Sequence, residues 1–84
     1  MRLDKFLKVS RLIKRRTVAN DACDAARIAV NGKLAKPSYT VKLGDLISVS
    51  FGSKIVTVRV LEIKETTKKA ESVSMYEVVS ETNE

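Results

Sequence analysis

The first sixteen residues alternate apolar and basic side chains at a spacing that fits an α-helix. At about 100° per residue, the apolar residues share one side of the helix: Leu3, Phe6, Leu7, Val9 and Ile13. The basic residues share the other side: Lys5, Lys8, Arg11 and Arg15. The pattern predicts a helix over residues 3–12 with one face for the core and one cationic face. Asp4 lies in its first turn, where the helix dipole favours a carboxylate.

A second helix is predicted over residues 16–25. Its apolar stripe consists of Val18, Ala22 and either Ala19 or Ala26, and its exposed side is formed by Asn20, Asp21 and Asp24. The alternation of Ile28 and Val30 with polar or small neighbours then indicates a short strand. Asn31-Gly32 ends that strand, because this pair favours the positive φ angles of a tight hairpin turn.

The second half of the chain is typical of strands. Residues 46–51 and 55–63 alternate apolar and polar positions around a turn at Gly52-Ser53. Residues 64–74 are polar and indicate a loop, and a last short strand is indicated by Val73, Met75, Val78 and Val79. We expect one domain over residues 1–79 and a disordered tail over residues 80–84. The predicted fold class is α+β, with two N-terminal helices packed on a small, mainly antiparallel β-sheet.

The length and cysteine content exclude several classes of protein. Eighty-four residues suffice for one small domain, and no apolar run exceeds three residues, so we expect no membrane span, no secretory signal and a cytoplasmic protein. Cys23 is the only cysteine and there is no histidine, so neither a zinc site nor a thiol catalyst can be assembled. We therefore expect no enzyme activity, no metal and no cofactor.

Positive charge is concentrated in the first half. Residues 1–42 contain eleven Lys or Arg against three Asp or Glu, a balance of +8, whereas residues 43–84 contain five against seven, a balance of −2. This segregation favours a polyanionic partner for the first half. RNA fits best, because the acidic side of the second helix argues against DNA major-groove reading. With four aromatic residues, two of which look like core, we expect contacts to shape and backbone in place of stacked bases.

Five short motifs, in this order, resemble a known RNA-binding domain. They are Arg2-Leu3-Asp4-Lys5-Phe6-Leu7, the basic segment before the second helix, Val30-Asn31-Gly32, Lys36-Pro37-Ser38 and Val41-Lys42-Leu43-Gly44-Asp45. Over residues 1–50 they resemble the domain first named from the small-subunit ribosomal protein S-four. Because the domain stands alone and continues to Met75-Tyr76, the chain most resembles the RqcP and heat-shock protein fifteen family.

The resemblance implies an alpha-L RNA-binding motif and a non-catalytic role in bacterial ribosome quality control. The implied partners are the RNA of the large ribosomal subunit, transfer RNA and an RqcH-type factor that adds a C-terminal alanine tail, with the protein itself monomeric. The charge pattern and the resemblance together predict eight RNA-binding residues: Arg2, Lys5, Lys8, Arg11, Lys14, Arg15, Arg16 and Lys36. Asp4 is predicted to orient an arginine such as Arg16 or to accept first-turn amides, because a carboxylate cannot gain from meeting phosphate.

Two positions depart from the resembled family. Ala26 stands where the family usually has a glycine of positive φ, and Arg15 stands where a Ser or Thr often caps the second helix. We expect the local geometry to change at both places. Lys68-Lys69 is open to two interpretations, a solvated loop or a second contact patch.

Other functions remain possible from sequence alone. The chain could be a general ribosomal-RNA-binding heat-shock or assembly factor, or an accessory RNA-binding module for an RNA-modifying enzyme. A basic helix would also suffice to bind an acidic protein or a membrane surface, but the turn and loop motifs argue against that hypothesis.

Overall fold

The computed structural model describes residues 1–64 and 75–83, in which two helices pack on a five-stranded sheet. The helices are α1 (Leu3–Val9) and α2 (Arg16–Asp24), and the strands are β1 (Ile28–Val30), β2 (Lys33–Leu34), β3 (Leu46–Phe51), β4 (Lys54–Val60) and β5 (Tyr76–Asn83). The strand order is β2-β1-β3-β4-β5, and every neighbouring pair is antiparallel. The predicted α+β class is confirmed. Neither helix in the described part of the chain has the length and apolar character needed to cross a membrane.

The core lies between the helices and one face of the sheet. Leu3, Phe6 and Leu7 of α1 are fully buried in one cluster with Ile47 and Val58 of the central strands. In β3 and β4 buried residues alternate with more exposed ones, as the period of two in the sequence predicts. Burial of these apolar side chains is the main driving force that holds the helices on the sheet.

The end of α1 differs from the prediction. The helix stops at Val9 instead of continuing to residue 12, because Arg11 adopts a left-handed conformation with φ of 65°. The amide of Ile13 then donates to the carbonyl of Leu7 at 3.0 Å, and this turn returns the buried Ile13 to the core. Arg11 and Arg15 therefore do not extend the cationic face of α1 as the helical pattern predicts.

The end of α2 keeps the geometry of a glycine cap without a glycine. Ala26 adopts a φ of 59°, its amide donates to Cys23 at 3.1 Å, and the amide of Arg27 donates to Ala22 at 2.9 Å. These two bonds define a Schellman motif, which satisfies the last carbonyls of the helix. The helix ends at Asp24, one residue earlier than predicted, and its N-cap, Arg15, makes no side-chain capping bond.

The C-terminal strand is longer than the sequence indicates. Residues 80–83, predicted to be a disordered tail, belong to β5 and pair with residues 54–57 of β4. Backbone bonds to β4 and an ion pair from Glu81 to Lys54 at 3.4 Å hold this segment in place, and an ion pair from Glu77 to Arg59 at 2.7 Å joins the start of β5 to β4. β4 itself ends at Val60, not at residue 63. Val73 and Lys68-Lys69 lie outside the described residues.

Candidate nucleic-acid interface

Asp4 is a buried carboxylate at the start of α1 that binds two arginines. Arg2 donates from Nε to Oδ1 at 3.1 Å and from Nη2 to Oδ2 at 3.2 Å, and Arg16 Nη2 lies 3.5 Å from Oδ1. Asn20 Nδ2 completes the set at 3.4 Å from Oδ2. The Asp4 side chain is 3% exposed, whereas the side chains of Arg2 and Arg16 are 50% and 49% exposed. The carboxylate thus lies inside while both guanidinium groups face solvent.

The environment of Asp4 keeps it ionised. Burial by itself would raise the pKa of this carboxyl, but the hydrogen bonds from Arg2, Asn20 and the Lys5 amide, together with the charge of Arg16, outweigh it. The net result is a pKa below the ordinary value of 3.8. At neutral pH a full negative charge therefore remains available to hold the two arginines.

The first amides of α1 are occupied by protein groups. Leu3 donates to the carbonyl of Tyr39 at 2.8 Å, Asp4 donates to that of Pro37 at 3.2 Å, and the Lys5 amide donates to the Asp4 carboxylate at 2.8 Å. The helix start is therefore not open for an anion, in contrast to helices that bind phosphate with their own N-termini. An anion at this place has to bind the arginine side chains.

The same contacts bring the loop after β2 to the start of α1. Arg2 forms an isolated bridge with Thr40, and the Val41 amide donates to the Met1 carbonyl at 2.9 Å. Lys36 precedes the Pro37 that contacts α1, and its side chain is exposed. Residues separated by more than thirty positions, Arg2 and Lys36, thereby belong to one side of the molecule.

The remaining predicted residues spread from this point along the helices. Lys5 is half-buried and Lys8 is exposed on α1, and the turn between the helices presents three further exposed cations, Arg11, Lys14 and Arg15. Together with Arg2, Arg16 and Lys36, they form what we call the basic surface. The structure brings Arg2 and Arg16 to one carboxylate, while the other six lie on α1, in the turn between the helices and in the loop after β2.

A second buried carboxylate, Asp45, braces the loops beside this surface. It accepts bonds from the Tyr39 hydroxyl at 2.8 Å, from the Lys42 amide at 2.9 Å and from Asn31 Nδ2 at 3.1 Å. Burial would raise its pKa, but these three bonds and the charge of Lys42 lower it overall. The bond to Asp45 raises the pKa of Tyr39. Asn31 also accepts from the Leu46 amide at 3.0 Å, so the cluster ties the hairpin turn to β3.

Sequence reasoning missed Asn20 and the role of Asp45. Asn20 lies sixteen positions from Asp4, and only the packing of α2 on α1 brings them together. Asn31 was predicted in a hairpin turn, and both Asn31 and Asp45 stand in motifs of the resembled domain; their types, an amide and a carboxylate flanking tight turns, were the available signal. Cys23 is buried, and its pKa is raised to about 11, first by burial and then by Asp4 and Asp24, which suits a packed side chain. Residues 1–64 and 75–83 contain no cluster of potential metal ligands.

Comparison with known proteins places the chain in a family. The S4 domain family matches residues 1–47, more than half of the chain. The RQC P-site tRNA stabilizing factor of Streptococcus pneumoniae is 56% identical over 82 residues, which cover 98% of this chain and 93% of the relative. The factor of the same name from Bacillus subtilis is 59% identical over 81 residues, covering 96% and 94%. The chain belongs to the family of RQC P-site tRNA stabilizing factors.

Two solved structures have the same fold as this protein. The trimeric structure of heat shock protein 15 from Vibrio cholerae superposes with a TM-score of 0.88 at 28% identity and covers 95% of this chain and 82% of that one. The solution structure of a hypothetical protein gives a TM-score of 0.82 at 33% identity and covers 95% and 98%. The resemblance to the S-four domain and to heat-shock protein fifteen is confirmed.

Proposed function

We propose that this family member is a non-catalytic RNA-binding factor that acts on the large ribosomal subunit and stabilises transfer RNA in its P site. The name shared by the two relatives supports the transfer RNA part of this proposal, because both match this chain over nearly its whole length. The S4 domain supports the RNA-binding part. The protein would then work in the cytoplasm, where bacterial ribosomes are.

The observation on which this function depends is the orientation of Arg2 and Arg16 by buried Asp4. Arg2 spends two of its five N–H donors on the carboxylate and keeps the others for a ligand. A guanidinium held in one rotamer loses less entropy on binding than a freely rotating one, and its planar fork matches phosphate. Arg2 and Arg16 on one carboxylate thus present two oriented phosphate-binding groups.

Two anchored arginines amid other cations suit an RNA surface more than a single phosphate. The basic surface includes α1, the turn between the helices and the loop around Lys36, so it can contact successive phosphates of one strand or of two neighbouring RNA elements. Such an extended surface would allow contact with ribosomal RNA and transfer RNA at once. The chain would bind as a monomer and hold peptidyl transfer RNA while an RqcH-type factor adds the alanine tail.

Binding to purified large ribosomal subunits tests this function. We expect the wild-type protein to co-sediment with large subunits and to bind more tightly when P-site transfer RNA is present. Arg16→Ala removes one charge-assisted contact and should weaken binding about ten- to a hundredfold, the range that such hydrogen bonds provide.

Arg59→Ala is the matched control, because it removes an exposed arginine of β4 that contacts Glu77 and lies outside the basic surface. It should bind as the wild type does. Equal loss of binding in both variants, or no loss in Arg16→Ala, would contradict the proposed role of the oriented arginines.

A further inference from the structure

An open groove of about 490 Å³ lies between the turn after α1, the outer side of α2 and the end of β3. Its apolar wall is formed by Ile13, Val18, Ala22, Val49 and Phe51. Val18 is 50% exposed and Phe51 is 45% exposed, although the sequence pattern places Phe51 on the core face of β3 with Ile47 and Val49. Phe51 lies on the same face of β3 as Ile47 and Val49, as predicted. However, the helices do not cover the end of β3, so the ring of Phe51 is exposed to solvent.

The rim of this groove is cationic. Lys14, Arg15 and Arg27 line it, all three are exposed, and no carboxylate is among the described residues that line the groove. A site with an apolar wall and several positive groups at its edge is complementary to a ligand that combines a flat apolar part with a negative one. The groove volume falls within the roughly 300–1,000 Å³ that is usual for small-ligand sites.

We propose that this groove binds one unpaired nucleotide of the RNA, with its base against Phe51 and Val18 and the two phosphates that flank it on Arg15 and Arg27. The inference deepens the proposed function and rests on it. A nucleotide is favoured over an acidic peptide because the groove continues the basic surface: Arg15 precedes Arg16, the arginine that Asp4 holds. An RNA strand on Arg16 therefore passes the rim, where one base can turn inwards.

A single base in one groove is consistent with the small number of aromatic residues. Recognition of a stacked single strand needs several exposed rings, whereas one ring is enough to hold one base. Such a contact adds little sequence preference, because every base has a π-face, but it requires an unpaired nucleotide. The groove would thus select a bulge, loop or flexible end of the RNA over a continuous duplex.

Binding of hexauridylate, and of a hexamer with the same sugar-phosphate chain but no bases, tests this site. Phe51→Leu keeps an apolar side chain and removes the ring. We expect it to weaken binding of hexauridylate about five- to tenfold and to leave binding of the abasic hexamer unchanged. Val78→Ala, which removes an exposed apolar group on β5 outside the groove, should leave binding of both RNAs unchanged. Fluorescence anisotropy measures both affinities, and an amide spectrum of each variant verifies its fold.

Methyl and ring resonances of Val18, Val49 and Phe51 provide an independent measurement on the wild-type protein. They should shift with hexauridylate and not with the abasic hexamer. Two results would overturn the nucleotide site: groove resonances that do not shift at millimolar hexauridylate, or a Phe51→Leu variant that loses the same affinity for both RNAs. Groove resonances that shift with an acidic peptide and not with hexauridylate would overturn it as well. Arg16→Ala separates the two proposals, because this variant should bind both hexamers more weakly than the wild type does. If its affinity for both hexamers is unchanged, the result counts against the RNA-binding function instead.

Discussion

At Asp4, one buried carboxylate determines where two arginines point. Its cost of burial is offset by bonds from Arg2, Asn20 and the Lys5 amide and by the charge of Arg16, so it stays ionised. Removing it would leave both guanidinium groups without a fixed partner. We therefore propose that this negative residue in a basic motif favours anion binding through geometry, in opposition to its own charge.

Replacement of Asp4 by arginine separates orientation from net charge. We expect Asp4→Arg to bind large ribosomal subunits at least tenfold more weakly although it raises the net charge by two, because Arg2 and Arg16 lose their anchor. Asp24→Arg makes the same charge change at an exposed position of α2 and should bind as tightly as the wild type or slightly tighter. Co-sedimentation with subunits measures both, and thermal unfolding monitors the fold.

Tighter binding by Asp4→Arg than by wild type would show that total charge governs the surface. Because Asp4 is buried, Asp4→Asn is a useful second variant: it keeps the shape and some hydrogen bonds but removes the charge. It should lie between wild type and Asp4→Arg in affinity.

Asp45 predicts how stability depends on pH. Its pKa is lowered in the fold, so the folded protein releases this proton more readily than the unfolded chain does. The stability from its bonds to Tyr39, Asn31 and the Lys42 amide is therefore complete above the ordinary pKa of 3.8 and is lost as the pH falls through the lower folded-state pKa. Asp4 acts in the same direction.

Urea unfolding between pH 7 and pH 2.5 measures this dependence. Wild type should lose stability mainly below about pH 4. Asp45→Asn should be less stable at pH 7 and show a flatter decline in acid, because the variant has no proton to take up at this position. An identical decline in both proteins would mean that Asp45 does not contribute to the acid sensitivity.

At the scale of elements, the ends of the two helices are where sequence and structure diverge most. Both helices are followed by a residue other than glycine with positive φ, Arg11 after α1 and Ala26 after α2. Such a conformation costs a side-chain-bearing residue about 1 kcal/mol or more. The surrounding contacts enforce it, since each turn has to return an apolar residue, Ile13 or Ile28, to the core.

Ala26→Gly should stabilise the protein by about 0.5–1 kcal/mol. The gain is the relief of left-handed strain, reduced by the greater freedom of glycine in the unfolded chain. Ala25→Gly is the matched control, because Ala25 has a φ of −83° and gains no relief, so this variant should be neutral or destabilised. Chemical denaturation measures both, and a loss of stability in Ala26→Gly would contradict the strain at this turn.

At the scale of the whole molecule, charge is divided between the helical half and the strand half. The basic surface includes the helices and the loop after β2, while the last strand contributes Glu77 and Glu81, which contact basic residues of β4. Because of this division, the electric field of a polyanion orients the protein with its helical side toward the polyanion. The β5 side has no net attraction to the polyanion. A polyanion would therefore meet the helices first.

RNA binding should weaken steeply with salt. About five phosphate contacts, by residues such as Arg2, Lys5, Lys8, Arg11 and Arg16, predict a log–log slope of about −4, because each contact releases counterions. Affinity should then fall about 250-fold between 50 and 200 mM monovalent salt. Titration of large subunits at several salt concentrations measures the slope, and an affinity independent of salt would exclude the basic surface as the binding site.

The sequence by itself determined the class of fold, most of the core and the sign of the charge expected on the partner. Periods of 3.6 and of two residues are local properties, so Leu3, Phe6, Leu7, Ile47 and Val49 could be assigned to the core without a structure. The segregation of charged residues can likewise be counted along the chain. Asp4 could be proposed as an orienting residue because a carboxylate does not bind phosphate directly. The expected change of geometry at Ala26 was wrong, because this alanine keeps the positive φ of the glycine usually found there.

Tertiary structure alone decided which groups meet and where elements stop. The contact of Asn20 with Asp4, the brace around Asp45 and the pairing of residues 80–83 with β4 join positions that are distant in the chain. The end of α1 and the exposure of Phe51 depend on where a neighbouring element ceases to cover the core. Periodicity specifies a face but not a partner, and a partner exists only once the chain has packed.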